Sequence, residues 1–277
     1  MKRRNKRLLT AAGLVSAAVL ISALDVRLTV RRYEVDAPLE APVRLALVSD
    51  LHSCRYGEGQ ERLLDALTRQ SPDAVLLAGD ILDDEMPPAP ALQFLSEAAQ
   101  RWPCVYVSGN HEVWTGRLPE ILSHIESLGV HVLQGERLTL KLRGAFIDLL
   151  GLDDPAVGTS LYGRELDALA TLPETGHFSV LLAHRPERYQ DYAPLSCDLI
   201  VNGHAHGGQW RIPGLLNGLY APNQGLFPDH AGGQYLRDEG QVQIVSRGLA
   251  RESTFVPRVW NRPEVVIVDL IPAGTGS

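Results

Sequence analysis

Residues 43–52 read VRLALVSDLH, a run of branched and small apolar side chains that closes on a carboxylate and an imidazole. Short runs of this kind, rich in Val, Ile and Leu and bounded by Gly, Pro or charged residues, read as buried strands rather than helices. Four more segments repeat the design: AVLLAGD ending at Asp80, VYVSGN ending at Asn110, SVLLAH ending at His184, and LIVNGHAH carrying His204 and His206. Each puts a metal-type ligand just past a strand, and in α/β proteins ligands bind in the crevice at the carboxyl ends of the strands. Asp50, His52, Asp80, Asn110, His184, His204 and His206 are therefore expected on one edge of the fold. Residues two apart on a strand share a face, so Asp50 with His52, and His204 with His206, are each expected to address a common site.

The chemistry of this mixture suits two divalent ions held close together. Such a pair needs several carboxylate and imidazole ligands and one anionic ligand that bridges the ions and offsets their repulsion. Asp80 suits the bridge. Asn110 adds an oxygen without more negative charge, which keeps the pair electrophilic toward a phosphate, and His111 directly after it is placed to act as an acid. A water or hydroxide bridging two such ions has its pKa lowered toward neutrality and attacks phosphorus in line, so no covalent enzyme intermediate is needed. The expected cofactor is two divalent ions, with manganese, iron and zinc suiting the donors and magnesium also compatible.

The blocks SDLH (Ser49 to His52), GD (Gly79, Asp80), GNHE (Gly109 to Glu112), His184 in LLAHRPE and GHAH (Gly203 to His206) occur in order with none missing. Together they resemble the calcineurin-like metallophosphoesterases. The stretch GHAHGGQWRIPG, with SRGL at Ser246 to Leu249, resembles the bacterial membrane-associated phosphohydrolase branch of that superfamily. The resemblance implies one metal on Asp50, His52, Asp80 and His206 and a second on Asp80, Asn110, His184 and His204. It also implies that His111 and Asp80 are catalytic, with His111 protonating or hydrogen-bonding the departing oxygen; Glu112, next in the block, reads as supporting the ligands from behind. The implied fold is α/β, two facing mixed β-sheets flanked by helices in a four-layer sandwich.

Outside these blocks, Arg247, Arg211 and His230 are candidate substrate contacts. Arg247 follows a predicted strand at Gln243 to Ser246, and a guanidinium there pairs equally well with a phosphate or with a structural carboxylate. The same two readings apply to Arg211 and Arg185. His230 sits in the Gly-, Pro- and Asn-rich segment Pro213 to Gly233, long enough to form a loop over the site. Asp83 and Asp84 read as a solvated turn, and His124, His131 and His177 as surface or capping residues.

Lys2, Arg3, Arg4, Lys6 and Arg7 precede an uncharged run from Leu8 to Leu24. This reads as a membrane anchor or signal, with an uncleaved hydrophobic helix expected at residues 8–24. Three arginines after the run, against five basic residues before it, suggest a cytoplasmic N-terminus and an exported catalytic domain at the bacterial cell membrane; a peripheral or cytoplasm-facing placement is the alternative. The expected organisation is residues 1–30 as the basic and apolar segment and residues 40–272 as one catalytic domain, with residues 25–42 a connector or leading strand. Helices are expected at Gln60 to Arg69, Ala89 to Arg101, Leu118 to Leu128 and Gly163 to Leu169. Three cysteines without C-x-x-C spacing indicate neither a disulfide framework nor a zinc ribbon. A net charge of −7 argues against a nucleic-acid partner.

The sequence thus predicts a dinuclear-metal phosphohydrolase with a phosphoester substrate and no protein partner. The favoured substrate is a phosphodiester or pyrophosphate of an envelope-related or lipid-linked molecule. The alternatives are a phosphomonoesterase, including a protein phosphatase, and a non-catalytic membrane-tethered metal-binding scaffold.

Overall fold

A computed structural model describes residues 13–273, apart from residues 15, 238–239 and 252–255. The strand-forming runs build two six-stranded mixed sheets. The first has the order β1 (Thr29–Ala37), β14 (Glu264–Pro272), β2 (Val43–Val48), β3 (Ala74–Ala78), β4 (Cys104–Val107) and β5 (His131–Val132). The second has the order β12 (Gly233–Leu236), β13 (Val242–Val245), β9 (Leu199–Asn202), β8 (Phe178–Ala183), β7 (Ala145–Leu152) and β6 (Glu136–Leu142). A two-stranded ribbon, β10 (Tyr220–Ala221) with β11 (Gly225–Leu226), lies outside both.

The central strands are parallel and buried on both faces, which is why their sequences are continuously apolar instead of alternating with polar residues. Alternation survives in direction alone. Val43, Leu45 and Leu47 of β2 point between the sheets toward Val180, Leu182, Leu199 and Val201, whereas Ala46 and Val48 point outward. There they meet the helices Glu61–Gln70 and Ala89–Ala99 through Leu63, Leu67, Phe94 and Leu95. On the far side of the second sheet, Leu181 and Ile200 pack against Tyr162 and Leu169 of the helix Thr159–Ala170. Helix, sheet, sheet and helix make the four layers, each buried Leu or Val contributing about 1.5–3 kcal/mol.

Local sequence sets the ends of these elements. The helix Glu61–Gln70 stops where Ser71 turns left-handed (φ 51°), its N–H returning to Leu67 O before Pro72 forbids another turn. The helix Leu118–Ser127 carries His124, as expected. Of the two readings of residues 25–42, the leading strand is observed, since β1 runs parallel to β14 along its whole length. Cys54, Cys104 and Cys197 are free and buried.

Residues 16–23 are helical, and Trp260 N donates to Ala23 O at 2.7 Å. Residues 1–12, which include the basic cluster and the start of the apolar run, lie outside the described residues. Among the described residues no helix is long and apolar enough to cross a membrane.

One buried pair is expected to make the fold pH-sensitive. Glu165 accepts from Asp153 N, its other oxygen has no partner, and burial together with the Asp153 carboxylate pushes its pKa up to about 7. A carboxyl raised in the folded state stabilises fully below its unfolded pKa, and that stability is lost as pH rises from about 4.5 through about 7. Glu165→Gln is expected to melt several degrees above the parent at pH 8 and level with it near pH 4; an equal difference at both pH values would refute the assignment.

Candidate metal centre

β2, β3 and β4 are neighbours and parallel, as are β8 and β9, so their carboxyl ends fall together where the two sheets meet. The first sheet delivers Asp50, His52, Asp80 and Asn110, and the second delivers His184, His204 and His206. All seven are buried. Ligating atoms of Asp50, His52 and His206 lie within 4.8 Å of one another, as do those of Asp80, His184 and His204, and those of His52, Asp80 and His111. Asp80 stands between the two sides, its Oδ2 3.0 Å from His184 Nε2 and 3.7 Å from His52 Nε2.

Asp50 and His52 address a common group, as expected, but His204 and His206 do not, and the strand-face reason is corrected for both pairs. Asp50, His52, Asp80, His204 and His206 all lie past the strands in left-handed backbone, with φ of 50°, 47°, 52°, 65° and 47°. L-residues visit this region sparingly, and such strain persists only where surrounding structure enforces it. Here it turns His204 toward His184 and His206 toward Asp50, so the two histidines serve opposite sides of the cluster. The close approach also needs glycine: a Cβ on Gly109 would fall 2.1 Å from Asp80 Oδ1, and one on Gly203 2.5 Å from Asp50 Oδ2.

A second layer fixes the orientation of each ring. His52 Nδ1 meets Asp83 Oδ2 at 2.8 Å and His184 Nδ1 meets Ala78 O at 2.7 Å, which leaves Nε2 of both for the centre. His204 uses Nε2 instead, toward Asn223 Oδ1 at 2.8 Å, so its Nδ1 faces inward. Glu112 accepts from the backbone N–H groups of Asp80, Gly109 and Leu82 and thereby ties the Asp80 turn to the Asn110 turn. His111 N donates to Asp80 Oδ1, and its ring Nδ1 lies 2.6 Å from Asp84 Oδ1.

Four ligating atoms in this cluster are buried and have no hydrogen-bond partner, Asp50 Oδ2, His52 Nε2, Asn110 Oδ1 and His206 Nδ1, and among them stands Asp80 Oδ2, 3.0 Å from His184 Nε2. Buried polar atoms are rarely left unmatched, because each costs about 1–3 kcal/mol. Oxygens and imidazole nitrogens left bare together on one spot fit a pair of divalent ions. Protonation states agree for His204 and His206. Burial and the neighbouring His184 press His204 down to about 3, and burial with His52 holds His206 well below the usual imidazole range, so both rings are neutral donors. Burial opposes charge on Asp80, yet His184, His52 and His111 outweigh it and keep the carboxylate ionised. His184 goes the other way: burial is overcome by Asp80 and Asp50, which lift the ring to about 10, so its Nε2 holds a proton toward Asp80 Oδ2 where a cation would take that place.

Arg247, Arg211 and His230 each have partners of their own. Arg247 forms a buried ion pair with Glu264, whose other oxygen accepts Arg247 N. Arg211 reaches Asn217, and burial beside Arg247 lowers its pKa to about 10. His230 exchanges hydrogen bonds with Gln224 and meets the Tyr235 ring edge-on. Among the described residues no hydrogen bond, ion pair or ring contact joins these three to the seven. Arg185 is held by Asp154 and Asn223. The reading of Asp83 and Asp84 as a solvated turn is corrected for Asp83, which is buried against His52; Asp84 is exposed, as expected, and meets His111. Asn223 and Arg258 carried no signal in the sequence. Arg258 is buried, donates through Nε to Ala250 O, leaves both Nη groups without a partner, and exerts its charge on Asp50 and His206.

Comparison with known proteins agrees with this geometry. Residues 43–208 match the profile of the calcineurin-like phosphoesterase family. An uncharacterised metallophosphoesterase of Aquifex aeolicus is 28% identical over 254 residues, covering 88% of this chain and 92% of that protein. The Escherichia coli phosphodiesterase YaeI is 28% identical over 239 residues, covering 83% of each. Among solved structures, the phosphopantetheinyl hydrolase of Mycobacterium tuberculosis superposes with a TM-score of 0.50 at 13% identity, covering 86% of this chain and 99% of that one, a likeness of fold alone. The cluster lies at the strand ends that the profile spans, and the chain belongs to the calcineurin-like phosphoesterases, metal-dependent hydrolases of phosphoric esters.

Proposed function

We propose that this chain hydrolyses phosphodiester or pyrophosphate bonds of an envelope-related or lipid-linked substrate. The observation that carries the reading is a set of four unpartnered, buried ligating atoms in adjoining groups of ligands that Asp80 joins. In this proposal Asp50, His52, Asp80 and His206 hold one divalent ion, and Asp80, Asn110, His184 and His204 the other. When bound, the ions supply Lewis acidity toward the phosphoryl oxygens and an activated water as nucleophile. The rest falls to the chain. Asp83, Ala78 O and Asn223 fix which ring nitrogens face inward, and Glu112 holds the two turns in register. His111, its Nδ1 occupied by Asp84, keeps Nε2 to protonate the departing oxygen. Of the three candidate substrate contacts, Arg211 has a guanidinium nitrogen, Nη1, with no partner, whereas Arg247 would have to leave Glu264.

The diesterase preference takes support from the name of the E. coli relative, and the envelope setting from the basic and apolar residues 2–24. The test is hydrolysis of bis-(p-nitrophenyl) phosphate against the monoester by metal-stripped protein re-supplied with manganese, zinc, iron or magnesium. Metal-dependent turnover with diester preference is expected; a clear monoester preference sinks the substrate class, and no turnover with any ion sinks the enzymatic reading of the cluster. A second expectation concerns Asp83→Ala, which frees the His52 ring. Metal affinity should fall about 10–100-fold, with activity restored at higher metal concentration. Unchanged affinity by equilibrium dialysis would remove Asp83 from the site.

A further inference from the structure

The exposed large apolar side chains of this protein are unevenly placed. Among the described residues, six lie in residues 14–26 and six in the loop 209–227: Trp210, Ile212, Leu215, Tyr220, Leu226 and Phe227. These two groups touch through one short segment. Trp260 N donates to Ala23 O, Val259 bridges Trp210, and Trp210 Nε1 donates to Pro257 O, so residues 257–260 seat the loop beside the end of the N-terminal helical residues. The loop is folded rather than loose. Ile212 pairs with Leu216, Tyr220 with Leu226, and Phe227 N donates to Leu219 O. Leu215, 82% exposed, and Leu226, 66% exposed, are thus held outward by a backbone that satisfies itself.

We infer that the loop 209–227 is a lipid-inserting surface, a second membrane contact beside residues 8–24, whose occupant is a phospholipid bilayer. The inference rests on the membrane placement proposed above. Charge favours this occupant. Residues 207–228 contain no Asp or Glu and one basic residue, Arg211, in a chain of net charge −7, and residues 8–24 are uncharged behind five basic residues suited to anionic headgroups. Trp210 and Tyr220 have the apolar body and polar tip that suit a headgroup boundary, flanking aliphatic side chains that suit the acyl layer. The loop also reaches the metal centre: Asn223, between Tyr220 and Leu226, contacts both His204 and Arg185. A phosphoester carried by a lipid would therefore meet the centre from the bilayer side.

The experiment uses the full chain with vesicles of phosphatidylcholine and phosphatidylglycerol. Cys54, Cys104 and Cys197 are buried, so a thiol-reactive nitrobenzoxadiazole dye reports the introduced cysteine of Leu215→Cys, Leu226→Cys or Phe146→Cys. Phe146 is exposed at the start of β7, the edge opposite the metal centre. Expected is a severalfold rise in emission at 215 and 226 on vesicle binding, quenched by lipid-borne spin labels, with no change at 146. Aqueous spectra at 215 and 226 on protein that pellets with vesicles would overturn the proposal, as would failure to pellet. A rise that follows protein concentration without vesicles would also overturn it, in favour of a second copy of the chain. None of these readings depends on turnover, so they stand apart from the hydrolysis test.

Discussion

Asp80→Ala is expected to lose both ions and to lower kcat/KM by roughly three orders of magnitude, the several kcal/mol of charge stabilisation that bound metal supplies converted at 1.36 kcal/mol per decade. Asp80 is singled out by position: it neighbours His184 and His204 on one side and His52 and His111 on the other. Removing any other candidate ligand leaves one side of the cluster complete. Without Asp80, two like charges would face each other with no carboxylate between them. Elemental analysis of the purified variant reads the metal, and circular dichroism checks that the sandwich persists. Two ions per chain in Asp80→Ala would end its role as the bridge.

His111→Ala separates chemistry from metal binding. Its ring lies 4.4 Å, centroid to centroid, from that of His52 and makes no contact with the opposite side, so both ions are expected to stay. Turnover should fall about 10²–10⁴-fold, the usual contribution of a positioned acid. The loss should be greatest for diesters with poor, alkoxide-type leaving groups and smallest for p-nitrophenolate, which departs readily without a proton. A loss equal for both leaving groups would show that His111 positions the phosphate instead of protonating the departing oxygen.

The seven candidate ligands were legible because each follows a run whose composition already declares a buried strand, so its position in the fold is implied by its position in the run. The partners that orient them were not. Asp83 serves His52 from 31 residues away, and Asn223 serves His204 across a loop; neither relation has any periodicity to reveal it. Two adjacent aspartates after Ile81 look like a turn until β2 and β3 are laid side by side. The sheets were legible as strands but not as an order. Nothing in alternation shows that β14, the last strand, enters between β1 and β2, because alternation reports a strand's faces and leaves its neighbours unspecified. Arg247 was ambiguous for the same reason, its carboxylate partner Glu264 being a feature of that late strand.

The division of the seven residues between the two sheets has a mechanical side. Four come from one half of the sandwich and three from the other, and the apolar layer between the halves is held by dispersion contacts, which carry no direction, while directional bonds such as His184 Nδ1 to Ala78 O cross the seam at its edge. Ions gripped from both halves would act as a rivet through that seam. Loading would then lock the register of one sheet against the other, and a chelator would loosen the whole edge of the molecule rather than merely empty a site.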